Sequence, residues 1–402
     1  MPVVLLGTFD TKGNEFRFVR DILNALDVAT LTIDAGSQLP PTFEPDVGRE
    51  QVFKTAGTTM NAIVRAGDRG KAVETAAAGA AKLVAQLHQQ GKVDGILGLG
   101  GSAGTVIATA AMRALPFGIP KLMVSTLASG QVKQYVGVRD ILMMHSVVDI
   151  SGLNRISRTV LSNAAHAMAG MVKHKPAVPE ASERPLLAAT MFGVTTPCVS
   201  AAQKTLEGAG FEMLVFHATG AGGLTMESFV RDGLVQGVFD ITTTELADEL
   251  VGGILSAGKD RLTAAAIKGI PQVISLGALD MVNFGPRDTV PEKFEDRRFY
   301  QHNTSVTLMR TTPEENDKLG KEIAEKASAA SGPTAVLIPL RGVSAIDREG
   351  QPFWWPEADH ALFQSIRNWI GPMVQLIELD LHINDPEFAN QAAAMLQKLM
   401  RL

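Results

Sequence analysis

The sequence predicts two doubly wound, Rossmann-like α/β domains with mostly parallel sheets. Three observations carry that expectation. Short apolar runs alternate with helical-period stretches along the whole chain. The order strand, Gly/Thr-rich loop, helix, strand occurs twice, opening at Val3 and again at Leu186. The 402 residues hold 38 glycines and only 5% aromatics, a composition of many tight turns and few large ring anchors.

In the first half, Val3–Leu6 reads as a buried strand, and Phe16, Val19, Ile22, Leu23 and Leu26 follow at helical spacing. Val28–Ile33 is the next strand, closing at Asp34. Residues 36–69, with Pro40, Pro41 and Pro45, read as an irregular excursion, a lid or a partner-facing loop. Helix Lys71–Gln90, strand Val93–Leu97, helix Ala103–Leu115 and strand Pro120–Val124 continue the alternation. Residues 126–150 read as irregular and Gly152–Lys173 as helical. The stretch 175–185, with three prolines and no large apolar residue, reads as a linker between domains 1–178 and 185–402.

The second half continues with strand Leu186–Met191, a helix containing Ala201–Gly208, strands Phe211–Phe216 and Val235–Ile241, and helix Glu245–Ile254. Strands Gln272–Leu276 and Ser305–Met309, helix Pro313–Ala330 and strand Ala335–Pro339 follow. Helix His360–Trp369, strand Met373–Leu379 and helix Pro386–Leu399 complete the pattern.

Charge and composition exclude several classes. The chain is 20% charged and 46% hydrophobic, with a net charge of −5 and no basic stripe for nucleic acid or a membrane surface. A single cysteine, Cys198, excludes an internal disulfide and a cysteine zinc site. No apolar run reaches the roughly 18 residues of a membrane span, and the N-terminus lacks a signal peptide's long apolar core, so a cytoplasmic protein is expected.

Ligands of doubly wound folds sit at the carboxyl ends of strands, and three loops there could carry chemistry. The first is Gly7–Gly13. Backbone amides ahead of a helix favour an anion; Lys12 adds a charge, and Thr8 and Thr11 add hydroxyl donors. Asp10 could orient a ribose or hold a magnesium-bound water, and Asp34, about twenty residues on, suits ribose hydroxyls. Alternatively Thr11 caps the helix and Asp34 starts a turn. GxxxxGK[ST] is absent, so this is no Walker A loop.

The second loop, Gly98–Thr105, formally fits GxGxxA, but the following strand ends in Ser125-Thr126 without a ribose-binding acid, which argues against NAD. Gly100, Gly101 and Gly104 would let backbone approach an anion, with Ser102 and Thr105 as donors; tight strand–helix packing is the alternative. The third loop, His217–Glu227, repeats the logic with Thr219, Gly220, Gly222, Gly223 and Glu227 as contacts for a small anionic substrate. Thr195 and Thr196 belong to the same substrate set, with Thr196 as a helix cap ahead of Pro197. Cys198 would feel that helix start, or is simply a small buried residue. Asp240, Glu245, Asp280, His302 and His382 could supply metal ligands or an acid/base pair, and His217, Asp280 and His302 form the candidate catalytic set. Phe353–Pro356 reads as a surface flap or subunit contact.

Eight blocks in one order, GTFDTKGNE (7–15), GLGGSAGT (98–105), SVVDISGLNRIS (146–157), FGVTTPCV (192–199), HATGAGG (217–223), DITTTELADEL (240–250), GALDMVNFG (277–285) and HIND (382–385), carry a resemblance over essentially the whole chain. It resembles the uncharacterised bacterial, fungal and plant family that supplies the N-terminal ATP-binding domain of the tomato mosaic virus resistance protein. The resemblance implies two Rossmann-like subdomains, with ATP bound by the first; that suits Thr8, Asp10, Thr11, Lys12 and the 98–105 glycines. It implies no settled reaction. In the plant protein the domain acts by binding viral replication machinery.

Three functions therefore stand as expectations. The first is ATP or nucleotide binding with magnesium. The second is an enzyme acting on a small carboxylate or sugar acid in an interdomain cleft. The third is a protein-interaction module. A homodimer or higher homo-oligomer is expected on general grounds.

Overall fold

The computed structural model describes residues 1–174 and 184–401. The chain divides into two units, Met1–Val178 and Pro179–Leu402. Of the linker expected at 175–185, residues 175–183 lie outside the described residues.

The first unit runs β1 (Val3–Gly7), α1 (Phe9–Ala25), β2 (Thr30–Asp34), α2 (Arg49–Thr55), α3 (Met60–Ala66) and α4 (Arg69–Gln89). It continues with β3 (Gly95–Gly100), α5 (Ser102–Arg113), β4 (Lys121–Ser125), α6 (Lys133–Val136), β5 (Leu142–His145) and α7 (Arg155–Lys173). Its sheet is ordered β2-β1-β3-β4-β5, and every pairing is parallel. The unbroken apolar run of β1 reflects burial on both faces. Val3 and Leu5 pack with Phe16, Val19 and Leu161 of α1 and α7. Val4 and Leu6 face Ala76, Ala80, Ile107 and Ala108 of α4 and α5. The irregular excursion expected at 36–69 contains α2 and α3, and Val52 and Phe53 of α2 are buried against the α4–α5 side.

The second unit opens with β6 (Leu186–Met191), a 3₁₀ turn (Gly193–Thr195), α8 (Thr196–Gly208), β7 (Glu212–His217), α9 (Ala221–Arg231) and β8 (Gly237–Thr242). Then follow α10 (Thr244–Val251), α11 (Ala264–Lys268), β9 (Gln272–Gly277), β10 (Met281–Phe284), β11 (Phe299–Asn303) and β12 (Val306–Arg310). It closes with α12 (Pro313–Ser328), β13 (Thr334–Pro339), α13 (Pro356–Trp369), β14 (Gln375–Leu379) and α14 (Pro386–Leu399). Six strands form a parallel sheet in the order β14-β13-β9-β8-β6-β7. The strand expected at Ser305–Met309 is not part of it. As β12 it joins a separate antiparallel sheet, β10-β12-β11, whose strand β10 was not among the expected strands.

Renumbered in chain order within each sheet, the parallel strands read 2-1-3-4-5 in the first unit and 2-1-3-4-5-6 in the second. Both units therefore share one winding. Its reversal falls between β1 and β3 in the first and between β6 and β8 in the second, where strand-end ligands are expected.

Candidate functional site

At the reversal in the first unit, β1 ends at Gly7 and α1 begins at Phe9, so only Thr8 lies between strand and helix. Asp10, Thr11 and Lys12 are thus first-turn helix residues and Gly13 opens the second turn; none is loop. Thr8 is the N-cap but makes no side-chain cap; its hydroxyl lies 2.9 Å from that of Thr11. Asp34 ties this turn to the end of β2: its Oδ1 accepts from the amides of Phe9 and Gly36, each at 2.9 Å. The alternative of Asp34 as a turn residue is therefore what the fold uses. Burial raises the Asp34 pKa, opposed by those two amides and reinforced by the Asp10 charge. Asp10 Oδ2 accepts from the amides of Gln38 (2.9 Å) and Leu39 (3.3 Å). Asp10 Oδ1 and Asp34 Oδ2 are buried without a hydrogen-bond partner.

Across the reversal, β3 runs through Gly98 to Gly100, so two of the expected loop glycines are strand residues. They are there for packing. A Cβ on Gly100 would lie 3.0 Å from the Cα of Gly104, and one on Gly104 would lie 3.2 Å from the Leu99 carbonyl oxygen. Gly101 differs, because the nearest atom to its Cβ would be Thr126 Oγ1 at 3.8 Å. As N-cap of α5 it offers no capping side chain, which leaves the first-turn amides of Ser102, Ala103 and Gly104 without an intrahelical acceptor. Ser102 is exposed. Thr105 is not available to a ligand; it is fully buried and bonds the Gly101 carbonyl (2.8 Å) and the Ser125 hydroxyl (2.7 Å). Lys12 also turns elsewhere, donating its ammonium to the carbonyl of Ile150.

Thr8, Asp10 and Thr11 meet in a recess of about 70 Å³, together with Ser37, Gln38, Arg69 and Ala103. Ser37, Gln38 and Arg69 come from the segment that sequence reasoning left irregular. No motif marks them; only the position of the segment after β2 could have drawn attention to them.

The corresponding edge of the second unit is closed. Glu245, at the start of α10, accepts from the amides of Gly220 (2.7 Å) and Gly223 (3.0 Å). The anion expected in the third loop is thus the chain's own carboxylate. Its other oxygen accepts from Nε of Arg261 at 2.7 Å. Arg261 is wholly buried and also faces Asp240 (2.5 and 2.7 Å) and Glu227 (3.4 Å). Burial alone would lower the Arg261 pKa; Asp240, Glu245 and Glu227 outweigh it and hold it well above the ordinary value. Glu227 is buried and accepts from the amides of Leu262 (2.5 Å) and Ala264 (2.8 Å), so it is no open substrate contact. Gly222 has no room for a Cβ beside the His217 carbonyl. Thr219 bonds that same carbonyl at 3.3 Å.

Thr195 is buried against Thr242, hydroxyl to hydroxyl at 2.8 Å. It is Thr195, not Thr196, that occupies the N-cap of α8, and the Thr196 hydroxyl donates back to the Phe192 carbonyl at 3.1 Å. Cys198 is fully buried, and burial pushes its thiol up to about 12, so the helix start does not activate it.

The three candidate catalytic residues are not brought together. His217 is exposed at the end of edge strand β7, stacked on Phe192 with ring centroids 5.4 Å apart. Asp280 is fully buried beside Ser344 (2.8 Å). The Thr311 amide donates to the Asp280 carbonyl, whereas the neighbours of His302, Gln301 and Asn303, pair with Thr307 and Val306. Asp280 and exposed His302 thus lie at opposite ends of the antiparallel sheet, roughly 13 Å apart at strand spacing. His382 is buried as well: Nδ1 accepts from the Asn384 amide (3.1 Å), which leaves Nε2–H to donate to the Ser344 carbonyl (2.9 Å). Burial, foremost, lowers its pKa. Among the described residues no group of three or more His, Cys, Asp or Glu is placed to hold a metal ion, and no helix is long and apolar enough to cross a membrane. Phe353, expected on a surface flap, is fully buried, while Trp354 stays exposed.

A second concavity, about 950 Å³, lies over the carboxyl ends of β13 and β14, lined by Arg341, Arg348, Asp359, His360, Arg367 and His382 among others. Sequence reasoning marked only His382 of these.

Comparison with known proteins gives one family for both units. The model described as "Uncharacterised protein family (UPF0261) N-terminal domain" matches residues 1–177, and its C-terminal counterpart matches residues 184–400. A UPF0261 protein of Clostridium tetani (strain Massachusetts / E88) is 51% identical over 402 residues, covering 100% of this chain and 98% of its own length. The ToMV resistance protein Tm-1(GCR237) of Solanum lycopersicum is 42% identical, covering 96% of this chain but 54% of its own length. A solved UDP-N-acetylglucosamine 2-epimerase from Rickettsia bellii aligns over 99% of this chain and 94% of its own, at 12% identity and a TM-score of 0.21, too low to carry an argument.

Proposed function

The chain belongs to the UPF0261 family across both of its units, and we propose that the first unit binds ATP with magnesium at the β1/β3 reversal. One observation carries the reading: the N-terminus of α5, which has no side-chain cap, and the first turn of α1 border a recess lined by Asp10, whose Oδ1 has no hydrogen-bond partner. The phosphates suit the first-turn amides of Ser102, Ala103 and Gly104, with Thr8, Thr11 and Ser102 as hydroxyl donors. Magnesium suits Asp10, since it is commonly held by one or two carboxylates plus phosphate oxygens and water. Asp34 supports the turn by accepting from the Phe9 and Gly36 amides. Of the blocks that carry the family resemblance, GTFDTKGNE and GLGGSAGT both lie at this edge, which supports the same reading. The cytoplasmic location expected from the sequence fits such a ligand. Homo-oligomerisation is a separate proposal, checked by light scattering.

Calorimetric titration with MgATP tests the reading. One-site binding is expected, and Gly101→Asp, which places a carboxylate in front of the α5 amides, is expected to abolish it. Absence of heat at millimolar nucleotide would overturn the proposal.

A further inference from the structure

The cleft over β13 and β14 lies apart from the strand-order reversal, yet it shares the general position of α/β ligand sites, at the carboxyl ends of parallel strands. Its charges can be sorted by what already holds them. Arg341 is paired with Asp380 through two bonds of 2.7 and 2.6 Å, and Arg367 with Glu378 through two of 2.7 and 2.9 Å. Asp385 accepts from the His382 amide at 2.8 Å. Asp359 accepts from Arg310 at 2.6 Å, within a buried cluster that includes Asp347 and Asp280. Arg348, Glu349 and His360 remain, exposed and with no ion pair among the described residues.

We propose that this cleft binds a small molecule bearing an oxyanion, a phosphate ester or a carboxylate, with Arg348 as its charged partner. Three features support the choice of an anion. Arg348 lines the cleft together with His382, and its charge is among the lesser causes, after burial, that lower the His382 pKa. Burial, foremost, and the adjacent Asp347 push Asp359 up to about 7, so the floor is less negative near neutrality than its residues suggest. The fourteen-residue helix α13 begins here without a side-chain cap: Pro356 and Asp359 of its first turn and His360 of its second line the cleft, and the first turn also carries Glu357. A volume of about 950 Å³ admits a metabolite-sized ligand.

The test uses the full chain carrying Gly101→Asp, so that anion binding in the first unit does not contribute. Inorganic phosphate and malonate are titrated separately, followed by calorimetry and by thermal shift. Saturable one-site binding of either probe is expected. Phosphate alone assigns the phosphate-ester class and malonate alone the carboxylate class. Arg348→Ala is expected to weaken binding roughly tenfold or more, the scale of one charge-assisted hydrogen bond. Glu349→Gln is expected to tighten it, because it removes the one unpaired negative charge beside Arg348. Both side chains are exposed, so neither change threatens the fold. No saturation by either probe at tens of millimolar, or undiminished binding by Arg348→Ala, overturns the proposal. Failure here leaves MgATP binding by the unmodified chain untouched, and the converse also holds.

Discussion

The two units wind their parallel strands in the same order, but they treat the resulting edge in opposite ways. At β1/β3 the first turn of α5 has no side-chain cap and its Ala103 lines a recess, and two carboxylate oxygens nearby in the fold have no partner. At β6/β8 the corresponding Gly-rich turn is held by Glu245, which is held in turn by buried Arg261. A Gly-rich loop at a strand end therefore does not define an anion site by itself. What decides is whether the chain supplies the anion.

Removing the internal anion is the most disruptive way to break this comparison. Glu245→Ala leaves the Gly220 and Gly223 amides unpaired and buried Arg261 short of one counter-charge; a loss of about 3–5 kcal/mol is expected. Urea unfolding measures it, and an unchanged midpoint would show that the loop is held by something else.

The next effect depends on pH and belongs to the second unit. Burial, foremost, pushes Asp248 up to about 7, against hydrogen bonds from Asn283 and Leu255. Between its unfolded value of about 4 and that folded value, the folded chain keeps a proton that the unfolded chain has released. The stability this contributes is full below pH 4 and is lost as the pH rises through 7. Asp248→Asn should lack that loss, and Asn283, which now donates to Asp248 and whose Oδ1 is buried without a partner, can accept from the new amide once its own amide group turns over. Melting temperatures of the two proteins are expected to diverge between pH 5 and 8 in favour of the variant. Parallel pH curves would contradict a raised Asp248.

Smaller effects separate glycines that pack from glycines that face a ligand. Gly100→Ala forces a methyl group toward the Cα of Gly104, and about 1–3 kcal/mol of destabilisation is expected. Gly101→Asp gives the first unit an internal anion like that of the second. It has room, and as a better N-cap it is expected to leave stability unchanged or raise it by up to about 1 kcal/mol. Calorimetric melts of both variants check the pair. A destabilised Gly101→Asp would mean that this position also packs.

Much of the fold was legible. The run at Val3–Leu6 is buried on both faces, as an unbroken apolar strand should be, and α14 spans the predicted Pro386–Leu399. The antiparallel sheet was not legible, because Val306–Met309 has the composition of any buried strand and nothing local states the direction of its partner. The site was legible only as an edge. Sequence reasoning placed ligand-facing groups in Gly7–Gly13 and Gly98–Thr105, but the contacts that decide which of them are available come from far along the chain. Lys12 meets Ile150, 138 residues away, and Gly220 meets Glu245, 25 residues away. Spacing within a motif carries no information about such contacts. Gly100 and Gly104 show the same limit from another side, since a glycine that lets a helix touch a strand reads like one that lets backbone touch a phosphate.

The close fit of Gly100 and Gly104 also has a mechanical consequence. With no side chain between β3 and the first turn of α5, strand and helix have no slack at that point and behave as one stiff plate. The Ala103 wall of the recess cannot yield without carrying the centre of the sheet with it. If the recess takes ligands as proposed, accommodation to their size comes from the opposite wall, where Ser37 and Gln38 hang from the Asp10 carboxylate by the backbone bonds of Gln38 and Leu39. The recess is a vice with one fixed jaw, and Asp10 sits at the hinge of the other.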